Sequence, residues 1–215
     1  MKKLQHIIMI ALILLGLVTP ALAQEQTDDF NVSAKHAIAI EATTGKVLYE
    51  KDATTPDGVA SMTKILTAYM VYKAVDQGKI TWDTEVDISD YPFNLTVDSE
   101  VSNVPLDSRK YTVKQLLDAT LISSANSAAI ALAEKISGSE SAFVDTMTAQ
   151  LKEWGITDAK LFNASGLNNK YLGDNRYPGS KPDDENTMSA LDVAIIADHL
   201  IKDYPQVLEI TKQTE

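Results

Sequence analysis

The sequence predicts an α+β domain in which a pair of strands opens the fold and a succession of helices follows. Three observations predict it: two short apolar runs flank a Thr-Thr-Gly turn, a long apolar run at helical spacing follows them, and four more helical patterns come after residue 112. No internal repeat and no low-complexity segment interrupts this order.

The chain begins with Lys2 and Lys3, an apolar run from Ile7 to Val18, and Ala21-Leu22-Ala23 before the polar Gln24-Glu25-Gln26. That layout is a secretory signal peptide, residues 1–23, with cleavage expected after Ala23. A retained anchor would need roughly 20 apolar residues, more than this run supplies. Residues 24–35 are polar, acidic and aperiodic, and they read as a flexible lead-in. The domain is expected to occupy 36–215.

Ala37-Ile38-Ala39-Ile40 and Lys46-Val47-Leu48-Tyr49-Glu50, joined through Thr43-Thr44-Gly45, give a hairpin signal. From Met62 to Ala74 apolar residues lie on most sides of a helix that Gly78 stops, which predicts burial at the centre of the domain. Residues 81–109, with Pro92 and Pro105, read as an irregular excursion. Thr112, followed by Val113-Lys114-Gln115, fits a capping box for a helix through Leu121. Further helices are expected from Asn126 to Ile136, from Glu140 to Trp154, and from Ser189 to Ile201, the last after a loop from Asn163 to Asp184 rich in Asn, Gly, Asp and Pro.

The chain has no cysteine, so export would bring no disulfide framework and the core alone must hold the fold. The formal net charge is -11, and loss of the two positive charges of Lys2 and Lys3 would take it to -13. This balance argues against a nucleic-acid partner and otherwise serves solubility. His36 and His199 have no second ligand set or Ser-His-Asp arrangement around them, and no metal or cofactor spacing is visible. Asp183-Asp184-Glu185 reads as a solvated loop.

Chemistry is carried by two short constellations. Ser61-Met62-Thr63-Lys64 puts a hydroxyl and an amine three residues apart, on one face at the start of the buried helix. A serine becomes a nucleophile when a neighbour takes its proton, and a lysine does so when burial lowers its pKa. The helix start adds partial positive charge where an oxyanion would form. The competing reading makes Ser61 an N-cap and Lys64 a solvated charge. Ser61 is the only serine in the chain with lysine three residues on. The second constellation, Ser124-Ala125-Asn126, lies between two expected helices and offers a hydroxyl for proton relay and an amide for binding a peptide carbonyl. It too has a competing reading as a helix cap.

Together, Ala60-Ser61-Met62-Thr63-Lys64 and Ser124-Ala125-Asn126 resemble the first two of three motifs of the penicilloyl-serine transferases. The wider text resembles the low-molecular-mass D-alanyl-D-alanine carboxypeptidases. The likeness runs from about Ala37 onward through Thr43-Thr44-Gly45-Lys46-Val47-Leu48, Ser102-Asn103-Val104-Pro105-Leu106, Tyr111-Thr112-Val113, Ala128 to Glu134, Phe162-Asn163-Ala164-Ser165-Gly166-Leu167 and Met188-Ser189-Ala190. The resemblance implies the serine β-lactamase/DD-peptidase fold, with Ser61 as acyl-ester nucleophile, Lys64 as its proton acceptor, Ser124 as second hydroxyl and Asn126 as a substrate-orienting amide. It implies removal of the terminal D-alanine from peptidoglycan stem pentapeptides and trapping of Ser61 by β-lactams. It also implies work outside the cytoplasm in the cell envelope, with membrane attachment through a C-terminal region not found in these residues.

The sequence departs from the pattern in one respect: the third motif, Lys-Thr-Gly or Lys-Ser-Gly, is nowhere among the 215 residues. They are therefore expected to be a fragment with an unfinished sheet and little or no turnover alone. Two other functions share the motifs or the fold. A serine β-lactamase would need a deacylating glutamate, commonly in the loop after the second motif, and Asn163 to Asn169 contains none. A non-catalytic module would bind penicillins or cell-wall peptides without turning them over.

Overall fold

The computed structural model describes residues 30–97 and 100–213. The expected signal peptide and residues 24–29 of the lead-in lie outside the described residues. Residues 30–36 contain no helix or strand, and Lys35 is already tied to Asp57, its Nζ donating at 2.6 Å.

The unit that starts at Ala34 opens with the expected hairpin, β1 (Ala37–Ile40) against β2 (Val47–Lys51). The strands are antiparallel, with Ala37 opposite Lys51 and a bulge between Ala39 and Ile40. Gly45, at φ +72°, supplies the left-handed turn residue between them. A short strand β3 (Asp57–Gly58) leads through a 3₁₀ turn, Ala60–Met62, into α1 (Thr63–Asp76).

The excursion after α1 is more regular than the sequence suggests. It holds β4 (Glu85–Asp87) and a short helix α2 (Asp90–Leu95), and β4 pairs antiparallel with β5 (Lys110–Thr112). Short, irregularly spaced elements leave little periodic signal, and here backbone pairing across about two dozen residues, Val86 against Tyr111, supplies the order. Next come α3 (Val113–Ile122), α4 (Asn126–Ser137) and α5 (Glu140–Glu153). Thr112 does cap α3 through a reciprocal box with Gln115. After the long loop, β6 (Thr187–Met188) pairs with β3, and Ser189 caps α6 (Ala190–Asp203), which a short α7 (Leu208–Thr211) follows.

Helix α1 is the axis of the domain, packing against α3, α4, α5 and α6, while β1 lies on α6. Its low amphipathicity in sequence follows from this: Leu66, Ala68, Val71 and Tyr72 point in several directions and all are buried. Around them Leu116, Leu117, Ala128, Leu132, Phe143, Met147 and Ile196 complete the core. An aromatic group of Tyr69, Tyr72, Trp82, Trp154 and Tyr204 closes the other end of α1, with ring centroids 4.7–5.3 Å apart. No helix of the described residues is long and apolar enough to cross a membrane.

Candidate active site

Ser61 lies in the 3₁₀ turn that feeds α1 and is exposed, whereas Lys64, one turn on, is 3% exposed. The lysine's amine therefore lies beneath the serine. Its Nζ donates to Ser61 Oγ at 3.0 Å, to Asn126 Oδ1 at 2.7 Å and to the Ser165 carbonyl at 2.7 Å. Burial lowers the Lys64 pKa from the ordinary lysine value of 10.5 to about 8. The competing reading of Lys64 as a solvated surface charge does not survive this enclosure.

The two acceptors come from distant parts of the chain. Asn126, the first residue of α4, is buried, and its Nδ2 donates to Ser102 O at 2.8 Å while its backbone N donates to the same carbonyl at 3.0 Å. Next to Ser102, Asn103 receives the backbone N and hydroxyl of Ser127 on Oδ1, each at 2.7 Å, and donates to Leu95 O at 2.8 Å. The excursion is thereby stitched to the start of α4.

Ser165 belongs to a buried turn organised by Asn163, whose Oδ1 accepts from Ser165 N, Ser165 Oγ and Gly166 N. Polar residues of α1 complete its attachment: Thr67 Oγ1 donates to Ala164 O at 2.6 Å, and Thr63 Oγ1 accepts from Asn186 Nδ2 at 3.0 Å. Gly166, at φ +82°, packs so closely that a Cβ there would lie 1.8 Å from Ala60 O. Ala60 itself has φ +43°, an uncommon conformation for a residue with a Cβ, immediately before Ser61.

Ser124 lies two residues before Asn126 in the turn between α3 and α4, at φ +55°, half-buried. Its hydroxyl makes no hydrogen bond among the described residues. Of the four residues singled out from sequence, the hydrogen bonds join Ser61, Lys64 and Asn126 directly, and Ser124 borders them through the chain. A cavity of about 730 Å³ opens beside this turn, lined by Ser102, Asn103, Ser123 and Asp118 among others. A second, of about 420 Å³, lies beyond Met62 between the hairpin and α6. No group of three His, Cys, Asp or Glu residues suited to a metal ion is found among the described residues. The Ser165 carbonyl and the Asn163 turn were not assigned a role from sequence, since a backbone acceptor has no residue-type signature.

The family model described as D-alanyl-D-alanine carboxypeptidase matches residues 22–215, and the chain belongs to that family. Among relatives, it is 34% identical over 214 residues to the D-alanyl-D-alanine carboxypeptidase DacF of Bacillus subtilis, covering 98% of this chain and 50% of that protein. To DacC of Escherichia coli it is 30% identical, over 91% of this chain and 46% of that one. Among solved structures, a peptidoglycan synthesis regulatory factor (PBP3) from Streptococcus pneumoniae is 66% identical with a TM-score of 0.85, over 86% of this chain and 51% of that one. Penicillin-binding protein D2 from Listeria monocytogenes, solved in its ampicillin-bound form, is 27% identical with a TM-score of 0.70, over 86% of this chain and 68% of that one. These neighbours establish the DD-peptidase fold. The chain spans about half the length of the curated relatives it matches.

Proposed function

We propose that the protein is a serine D-alanyl-D-alanine carboxypeptidase of the cell envelope, which removes the terminal D-alanine from peptidoglycan stem pentapeptides through an acyl-enzyme at Ser61. The observation that carries this reading is the Lys64 amine, buried, lowered to about 8 in pKa, and 3.0 Å from an exposed serine hydroxyl. Membership of the family supports the substrate class proposed, and the ampicillin-bound relative supports the inhibitor class.

A neutral lysine amine has two hydrogens and one lone pair. Asn126 Oδ1 and Ser165 O accept the two hydrogens, which leaves the lone pair directed at Ser61 Oγ. Lys64 takes the hydroxyl proton as Oγ bonds to the carbonyl carbon of the penultimate D-alanine. As the tetrahedral species collapses, the C–N bond breaks and the leaving amine takes a proton from Lys64, relayed by the Ser124 hydroxyl. Water then cleaves the ester by the same proton path in reverse, restoring Ser61. Asn126 serves this scheme by orienting Lys64 and, at the cleft, the substrate amide. A β-lactam enters the same first step and leaves a long-lived ester. Export by the N-terminal leader, and attachment to the membrane surface through a further region, belong to the same reading.

The test is mass spectrometry of the full-length protein after exposure to a penicillin, together with release of D-alanine from a stem pentapeptide. A stable adduct on the Ser61 peptide and D-alanine release, both lost in Ser61→Ala, are expected. Labelling that survives Ser61→Ala removes Ser61 from the role; fast release of hydrolysed drug makes the protein a β-lactamase; an adduct without D-alanine release makes it a binding module.

A further inference from the structure

Glu140 lies outside the Ser61 centre yet touches the backbone that shapes it. It is the first residue of α5, 6% exposed, and its carboxylate has two donors. Ala164 N–H donates to Oε1 at 2.8 Å, and the Tyr91 hydroxyl of α2 donates to Oε2 at 2.7 Å. Burial pushes its pKa up to about 7; the two hydrogen bonds oppose that rise, and the half-buried Glu134 carboxylate of α4 adds to it. Glu134 is itself held by Ser89 Oγ, and among the described residues no cation pairs with Glu140. The positive end of α5 and the two donors are what favour charge there.

The three successive peptide units that end at Gly166 are all anchored by side chains, the first through the Asn163 carbonyl, which accepts from Asn186 Nδ2, as well as through Ala164 N–H. Glu140 holds the N–H of Ala164, Thr67 holds the carbonyl of Ala164, and Asn163 holds the N–H groups of Ser165 and Gly166. The unit they aim is the Ser165 carbonyl on Lys64. Through Tyr91, Glu140 also grips α2, whose Leu95 carbonyl receives Asn103 next to the Ser102 carbonyl that holds Asn126. Glu140 is thus bonded to both segments that end on the acceptors of Lys64.

We infer that Glu140 is a positioning residue for Lys64, its two carboxylate oxygens fixing Ala164 and Tyr91 so that Ser165 O and Asn126 Oδ1 keep the amine aimed at Ser61. The inference rests on Lys64 being the proton acceptor of Ser61, as proposed above. What matters is the reach of an acceptor, more than its charge.

Two variants separate reach from charge in the full-length protein. Glu140→Gln keeps an oxygen at the same distance without the charge; Glu140→Asp keeps the charge but withdraws it by one carbon. The rate of acylation by a fluorescent penicillin is measured across pH and normalised to folded protein by thermal unfolding. Glu140→Gln is expected to stay within about threefold of the parent with the same pH midpoint, and Glu140→Asp to lose about tenfold or more. In Glu140→Asp the pH midpoint also moves down, because an ammonium that needs three acceptors suffers more than an amine when one is displaced. A merely structural residue would change stability and leave that midpoint in place. Glu140→Asp with the parent rate and midpoint, or Glu140→Gln as slow as expected for Glu140→Asp, overturns the inference. Should Glu140→Asp fail to fold, the Glu140→Gln rate still decides. If instead Ser61→Ala retains the label, the underlying reading of Ser61 has failed and this inference falls with it, whereas the two Glu140 outcomes above overturn this inference alone.

Discussion

At Lys64 the enclosure that lowers proton affinity also acts against folding. An unfolded lysine titrates near 10.5 and this one near 8, so below pH 8 both states are charged and the burial cost is fully present. As pH rises from 8 to 10.5 the folded amine is neutral while the unfolded one still binds a proton, and the cost, of order 3 kcal/mol, fades. Relative to Lys64→Met, the parent protein should therefore gain stability across that window, as chemical denaturation at a series of pH values would read. The acylation rate should rise with pH through about 8 for the same reason. A parent-to-variant difference flat from pH 7 to 11 would contradict both. Gly166 gives a second test at this scale. Its added Cβ would strike Ala60 O at 1.8 Å from an already left-handed backbone, so Gly166→Ala is expected to cost about 3 kcal/mol or more in thermal unfolding. Gly45→Ala, with φ +72° but open space around it, should cost only about 1 kcal/mol.

At the scale of elements, caps and stops did much of the specifying. Thr112 and Ser189 each close a reciprocal box with the residue three positions on, Gln115 and Asp192, and their Ala variants should each lose about 1 kcal/mol. The Thr112 box made α3 legible in the sequence, and Gly78 marked where α1 ends, whereas the Ser189 box came to light in the structure. The 81–109 stretch was not legible, because β4 and α2 are too short for a period and owe their form to partners far along the chain, β5 and Glu140. Ser61 and Lys64 could be picked out because their relation is local, one helical turn. The Ser165 carbonyl, 101 residues from Lys64, and Glu140, read in the sequence only as the start of a helix, could not.

Across the whole molecule, protection is unevenly distributed. Residues 126–133 of α4 are all buried, whereas β1 and β2 pair with each other and leave Leu48 and Val47 exposed. Hydrogen exchange should accordingly be slower in α4 than in the hairpin, and equal protection of the two would contradict this distribution of stability. Lys64 meets one acceptor 62 residues away and the other 101 residues away. Contacts of such long range close late as a chain folds. Until they do, its amine is an ordinary solvated lysine beside an ordinary serine, so under the function proposed above a newly synthesised polypeptide should stay chemically silent, and the onset of penicillin labelling should clock the completion of its interior.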